Sequence, residues 1–362
     1  MNQTSVVEQI LDLARWAPSG DNSQPWRFEI IDAQHFVIHG RDTRDNCIYD
    51  LDGRPSQLSL GALIETATIA ASGHGLALLA TRRANLPDTR PTFDVRLSPQ
   101  PALIASPLIA AIPARRVQRR CMSTSALTPA QSQTLAASVG PDYEVHWFAT
   151  IAERLQWAHM LWQNAGLRLR LPEAFDLHRR IIQWDARFSP DRIPDQALGV
   201  DRLTLTMMRQ AMASWQRLDF LNTWLGGTIA PRIMMDWLPA VACAAHVAIL
   251  ARQVPTTVDD HVAAGRAIQR FWLTATHVGL QHQPAITPLV FARYLREGRP
   301  FTTRTSVVTA SKVMADNLDQ LLAGMAASAI WLGRIGAGSP AISRSERLKL
   351  GVLLASPKPK GQ

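Results

Sequence analysis

The chain has 362 residues, of which 47% are hydrophobic and 19% charged. That length and balance exclude a disordered or fibrous chain and allow a sizeable buried core. The net charge of +9 comes almost entirely from dispersed arginines with no aromatic–basic repeat between them, so the expected partner is a small anionic ligand and no nucleic acid.

An apolar-periodic segment, Val6 to Trp16, predicts the first helix, and Pro18 stops it, because proline disfavours helical geometry in the residue before it. Ser19, Gly20, Asp21, Asn22 and Ser23 form a polar turn, and Gln24-Pro25 leads into Trp26–Ile31, which alternates like a half-buried strand. His35–Gly40 predicts a second strand and Ser59–Gly73 a small-residue helix. Leu76–Thr81 and Thr92–Leu97 predict two more strands. Pro99, Pro101, Pro107 and Pro113 then punctuate what reads as a joint between two halves, 1–110 and 111–362.

The second half opens with Arg115, Arg116, Arg119 and Arg120 within six positions. Guanidinium forks bind phosphate oxygens in pairs and keep their charge, so a cluster this dense calls for an anion or for full solvation. Thr128 as N-cap and Pro129 at the first helical position start a helix that ends near Val139. Tyr143–Phe148 predicts a strand and Ile151–Arg168 a helix. The segment Gly61–Leu76 lines up with Gly265–Leu280, 204 positions later. The earlier helix–strand units align at an offset of about 120, which leaves roughly 80 additional residues in the second half. They fall at about 168–237, a stretch with Trp184, Trp215, Trp224 and Trp237 and with Met207, Met208, Met212, Met234 and Met235. It reads as an apolar helical insertion. Gly336-Ala-Gly338 reads as a turn and not as a dinucleotide fingerprint.

Several chemistries find no support. The ten histidines show no metal-ligand spacing, and Cys47, Cys121 and Cys243 form no C-x-x-C pair, so no metal is expected. The same cysteine usage suits a reducing, cytoplasmic setting. There is no Gly-x-Ser-x-Gly elbow, and Ser19 has no evident base, so no catalytic nucleophile is assigned. The N-terminus lacks a basic segment followed by an apolar run, so no signal peptide is expected. The apolar runs Leu238–Leu250 and Leu321–Gly333 are shorter than the ~20 residues of a bilayer span, so no membrane partner is expected.

Ala17-Pro18-Ser19, Asn22 and Gln24-Pro25-Trp26, placed after an amphipathic helix, resemble the flavin-binding loop of the nitroreductase family. Arg115-Arg116-Val117-Gln118-Arg119 resembles that family's arginine signature, with Val117 in place of a small hydroxyl residue and Cys121 in place of an aromatic. The stretch from Arg334 to Arg347 is similar to the family's last strand and basic phosphate contact, with Arg344 the first candidate and Arg347 the second. Gly265–Gln283 and Thr287–Tyr294 resemble the nitroreductase-like domain of some molybdopterin-associated proteins, although no adenylyltransferase domain accompanies them here.

The resemblance implies an α+β fold with antiparallel-rich mixed sheets and helices. The loop lies in one half and the arginines in the other, which looks like the internally duplicated branch, two fused halves imitating a dimer. It implies FMN as cofactor, held by Pro18, Ser19, Asn22, Gln24, Arg115, Arg116, Gln118, Arg119, Arg344 and Arg347. The implied activity is NAD(P)H-dependent two-electron reduction of a small nitro, quinone or similar acceptor. Two alternatives stand beside it: a flavin storage protein with little turnover, its insertion lying over the flavin as a lid, and an FMN-dependent dehydrogenase of a biosynthetic pathway. The assembly expected is a monomer imitating a dimer, or a homodimer.

Overall fold

The computed structural model describes residues 4–355. Two four-stranded antiparallel sheets carry the chain, each with one long helix between its middle strands. In the first, α1 (Val6–Ala14) precedes β1 (Trp26–Ile30) and β2 (His35–Gly40). Helix α2 (Arg54–Ser72) then leads to β3 (Leu76–Arg82) and β4 (Thr92–Pro99). In the second, α3 (Pro129–Ser138) precedes β5 (Tyr143–Phe148), and helices α4 (Ile151–Arg168), α5 (Pro172–Ile181), α6 (Arg202–Ala211) and α7 (Trp215–Trp224) intervene. Strand β6 (Ala245–Ala251), helix α8 (Val258–His277) and strand β7 (Leu280–Pro284) follow. Helices α9 (Thr287–Arg296) and α10 (Thr305–Leu321) then lead to β8 (Ala329–Ala337). Shorter turns are named by residue.

The strand order is β1-β2-β4-β3 in one sheet and β5-β6-β8-β7 in the other, so both sheets have the same connectivity. Both opening helices start with the same device. Ser5 caps α1 and Thr128 caps α3, each in a reciprocal capping box, with Glu8 and Gln131.

Helices α2 and α8 pack against each other where Gly61 and Gly265 meet. A Cβ on Gly61 would overlap the Val262 carbonyl, and one on Gly265 the Leu58 carbonyl, so any side chain would push the helices apart. Gln269 Nε2 donates to Thr66 at 2.9 Å, and Arg266 and Arg270 reach Glu65 at 2.7 and 3.2 Å. Under the 204-residue offset the Thr66–Gln269 contact becomes the Arg270–Glu65 contact. The two helices thus meet in the self-complementary manner of a two-fold interface.

The sheets differ in cover. Trp26, Phe28, Phe36, Ile38, Leu60 and Leu63 form a core on one face of the first. The second is packed on both faces: Phe271, Val247 and Ile335 lie towards α8, and Trp157, Met160, Phe291 and Leu332 towards α4 and α9. All seven residues of β6 are buried, which accounts for its unbroken apolar sequence. The apolar run Leu238–Leu250 is therefore a short helical turn, Leu238–Val241, followed by a strand of a twice-covered sheet. No described helix is long and apolar enough to cross a membrane.

Three expectations need adjustment. Helix α1 ends at Ala14, capped by Arg15, before Pro18 is reached. Gly336 is not a turn residue: it lies in β8, buried where a Cβ would press on Met122 and Ser123. The insertion is only partly helical, because residues 182–200 form an arm of two-residue strands and turns around Ile182–Gln183, Phe188–Ser189 and Ile193–Pro194. In addition, the chain end crosses back to the first sheet. Leu353 is buried in its core, and Leu354 bridges Phe28.

Candidate functional site

The Ser19–Gln24 loop is held in an uncommon backbone conformation. Asp21, Asn22 and Gln24 have φ of 52°, 60° and 46°, the left-handed region that non-glycine residues seldom occupy. Ser19 Oγ accepts from the Gln24 amide at 3.0 Å and closes the loop on itself. Gln24 and Asn22 are buried and fully engaged. Gln24 Nε2 donates to the carbonyls of Pro190 and Asn22, its Oε1 accepts from Leu348 N, and Asn22 Nδ2 donates to the Arg192 carbonyl. The arm and the returning chain end therefore clamp this loop.

Three of the expected arginines converge at its start. Arg115 Nη2 donates to the Trp16 carbonyl at 2.9 Å, Arg347 Nε to the Ala17 carbonyl at 2.9 Å, and Arg344 Nη1 to the Pro113 carbonyl at 2.8 Å. Arg347 also donates to Asn22 Oδ1 at 2.9 Å, joining the cluster to the loop. The Arg115 guanidinium lies 4.4 Å from the Trp272 ring centroid, and that of Arg344 lies 4.5 Å from Trp16. Among the described residues none of the three pairs with a carboxylate. Burial, reinforced by its arginine neighbours, holds Arg115 well below its ordinary value and brings Arg347 down to about 9. Buried Nε atoms of Arg115 and Arg116 have no partner. Charge concentrated in this way is of the kind that binds phosphate oxygens.

The rest of the arginine segment diverges. Arg116 donates to the Ala341 carbonyl and Gln118 to that of Ser339, both on the loop after β8. Arg119 turns the other way, to the Ala197 carbonyl of the arm. Arg334, on β8, is buried and donates to the carbonyls of Gln118, Arg119 and Arg120, fixing the segment's path. Pro18 follows the helix end and makes no hydrogen bond in the site.

A cavity of about 300 Å³ opens where the loop, β6, β8 and the insertion meet. Its polar wall holds Asp21, Arg119, Arg168, His178, His246 and Arg334, and its apolar wall is made of Ile182, Ile193, Leu198, Met208 and Met235 of the insertion. Burial raises Asp21 to about 6, opposed by Arg119 and Arg168. Burial also lowers His178 to about 4 and His246 to about 3, so both are neutral imidazoles near pH 7. His178 Nε2 lies 3.0 Å from Tyr49 Oη, and His246 Nε2 donates to the Ala240 carbonyl. The structure thus joins Asn22, Arg115, Arg344 and Arg347 in one cluster and puts Arg119 beside the cavity. Ser19 and Gln24 stabilise the loop, while Arg116 and Gln118 bind the β8 loop. Arg334, Arg168, His178 and Tyr49 were not singled out from sequence. Only the arginine in the stretch after Trp331 carried a hint, as a charge inside an apolar strand. No group of three or more His, Cys, Asp or Glu residues suited to a metal exists among the described residues.

The comparisons follow this geometry. A model of the Nitroreductase family matches residues 3–45, the segment of α1, the loop, β1 and β2. No curated protein matches the chain. Among solved structures the chain is similar to a nitroreductase-like family protein from Bacillus cereus, at 9% identity and a TM-score of 0.35. That match covers 70% of this chain and 96% of the other. It is also similar to the FMN-dependent nitroreductase NfnB from Mycobacterium smegmatis in complex with NADPH, at 14% identity and a TM-score of 0.36. There the match covers 70% and 98%.

Proposed function

We infer that the chain belongs to the Nitroreductase family, whose N-terminal segment it carries at residues 3–45, and on that premise we propose an FMN-binding, NAD(P)H-dependent oxidoreductase. The observation that carries the reading is the Arg115–Arg344–Arg347 cluster without a carboxylate, buried at Arg115 and half-buried at the other two, hydrogen-bonded to the loop through Arg347 and Asn22. Those arginines would hold the FMN phosphate. Arg119 and Arg334 would place positive charge on the ring side, from the cavity wall that also bears Asp21. When bound, FMN supplies the redox chemistry, accepting a hydride and passing two electrons to an acceptor. The chain's own share is placement and proton control. Asp21, titrating at about 6, can hold a proton on its carboxyl oxygen near neutral pH. Neutral His178 and its Tyr49 partner form a second route for hydrogen bonds to the cavity. The apolar wall from the insertion would limit the access of water to a bound flavin.

A second reading, flavin storage with little turnover, is favoured by one observation. The carbonyls of Pro190, Arg192 and Ala197 accept from Gln24, Asn22 and Arg119, so the arm is tied across the loop. Anaerobic stopped-flow reduction of the FMN-loaded protein separates the two. Bleaching by NADPH or NADH within seconds supports the reductase. A flavin that only dithionite bleaches supports storage. A protein that binds neither FMN nor its phosphate-bearing half removes both readings. One FMN per chain is expected, since each half supplies a different portion of the site; two would break the proposal of fused halves.

A further inference from the structure

The arm of the insertion borders two spaces. Ile182, Ile193 and Leu198 line the cavity, whereas Trp184, Asp185, Asp195 and Val200 line a groove of about 790 Å³ between the arm, α6 and the loop after β8. The groove and the cavity share no lining residue. Its charged side chains are Asp185, Asp195, Arg120, Arg187, Arg202 and Arg209. Both carboxylates are already engaged. Asp195 is buried and accepts from the amides of Asp185, Ala186 and Gln196 at 3.0, 3.0 and 2.8 Å, and Asp185 pairs with Arg209. The charges of the other arginines remain uncompensated. Arg120, Arg187 and Arg202 are exposed, and among the described residues their guanidinium groups donate no hydrogen bond and meet no carboxylate. Arg187 lies only over the neighbouring Phe188 ring, 5.4 Å from its centroid. These arginines come from separate elements whose backbones are pinned. Arg334 donates to the Arg120 carbonyl at 3.0 Å, Arg344 N donates to the Arg187 carbonyl at 3.1 Å, and Asp201 caps α6 immediately before Arg202. Like charges fixed around one hollow repel one another, and a ligand with several negative charges relieves that repulsion. The half-buried indole of Trp184 and the hydroxyls of Thr206 and Ser339 border the same space.

We propose that this groove binds a nucleoside di- or triphosphate, its phosphates held by Arg120, Arg187 and Arg202 and its base against Trp184. Guanidinium forks match phosphate oxygens, and an aromatic ring stacks on the face of any base. The volume is that of an ordinary small-molecule site. The groove uses none of Arg115, Arg344 and Arg347, so the inference does not depend on the flavin reading.

The probes are metal-free ATP, pyrophosphate, adenosine and citrate, titrated by calorimetry into the full chain without FMN. ATP is expected to bind about fivefold or more tightly than pyrophosphate, the share of base stacking. Adenosine and citrate should bind at least about tenfold more weakly than ATP, because the first lacks the charge and the second the ring. Arg187→Gln and Arg202→Gln should each weaken ATP by about three- to tenfold, between the effect of an exposed ion pair and that of a charge-assisted hydrogen bond. Trp184→Leu should lower ATP to the affinity of pyrophosphate and leave pyrophosphate unchanged, which also shows that the variant is folded. Arg252→Gln is the control. Ile335 pairs with Ala245 and Ala329 with Leu250, so Arg252 follows the end of the second sheet far from Ser339, and its loss should leave ATP binding unaltered. The inference is overturned if the wild type does not bind ATP, or if citrate or pyrophosphate binds as tightly as ATP. It is equally overturned if both arginine variants of the groove bind ATP as the wild type does, which would place the nucleotide elsewhere, the Arg115–Arg344–Arg347 cluster included. Equal weakening by Arg252→Gln would assign binding to the net charge of +9 and also overturns it.

Discussion

The two sheets repeat one connectivity yet live in different surroundings. The first is a plain half-covered sheet whose strands alternate, as in the buried and exposed positions of β4. The second, with α4 and α9 on its far face, is buried on both sides and carries polar groups deep inside, among them His246, His282 and Arg334. The difference teaches where chemistry can be built. A once-covered sheet offers a loop with a shaped backbone, and the twice-covered sheet offers desolvated charge. The candidate site uses both, the Ser19–Gln24 loop from one and Arg334 and His246 from the other.

The largest effect that would sharpen the contrast is acid lability. His246 and His282 are held near 3 chiefly by burial, while in the unfolded chain a histidine titrates near 6.5. A base whose folded value is depressed gives its full stability above the unfolded value, and that stability is lost as pH falls from about 6.5 towards about 3. The two residues alone should remove roughly 3 kcal/mol between pH 6.5 and 5. Asp21, raised to about 6, acts in the opposite sense and offsets about a third of this. Hydrogen exchange at pH 5 should therefore show β6 and β7, which carry His246 and His282, losing protection relative to pH 7 by more than β1 and β2. Equal losses in the two sheets would break the contrast.

Next comes the seam. Gly265→Leu should cost at least about 3 kcal/mol in urea unfolding, because its side chain would meet the backbone of α2 at Leu58. Gly75→Ala, which meets nothing within 4 Å but sits at φ 64°, should cost only about 1 kcal/mol. A small penalty at Gly265 would mean the two sheets are not locked together there.

The arginine cluster proposed to hold a phosphate gives an effect of similar order on binding. Arg115→Met should weaken FMN by tenfold or more, the equivalent of one charge-assisted contact of ~1.5–3 kcal/mol. Riboflavin, which lacks the phosphate, should bind the variant and the parent alike. The ligand-free variant should be at least as stable as the parent, since an apolar chain replaces a buried guanidinium that has no carboxylate partner. Titration by flavin fluorescence and thermal unfolding read the two halves of this prediction.

The smallest effect tests likeness. Ser5→Ala and Thr128→Ala remove equivalent capping boxes on the two opening helices and should each cost about 1 kcal/mol. A marked inequality would show that the two units no longer rely on the same local signals.

Local chemistry made most elements readable in the sequence. The strand Tyr143–Phe148, the cap at Thr128 and the extent of Ile151–Arg168 follow from alternation, capping residues and helical period. The loop and the arginines were readable too, because each is a dense cluster of unusual residue types within a short stretch. What remained hidden is what depends on distant segments meeting. Nothing local in Gly61 and Gly265 says that they touch, because the reason for glycine lies on the opposite helix. Arg168, His178 and Arg334 look ordinary in sequence, and only burial beside other elements lowers the titration of His178 and Arg334 and leaves Arg168 Nε without a partner. The arm at 182–200, read as helix from composition, took another form because its backbone carbonyls serve the loop across the seam. Sequence determined which residues could form helices, strands and charge clusters. Tertiary packing alone decided which charges lost their water, and with it which side chains came together around the candidate site.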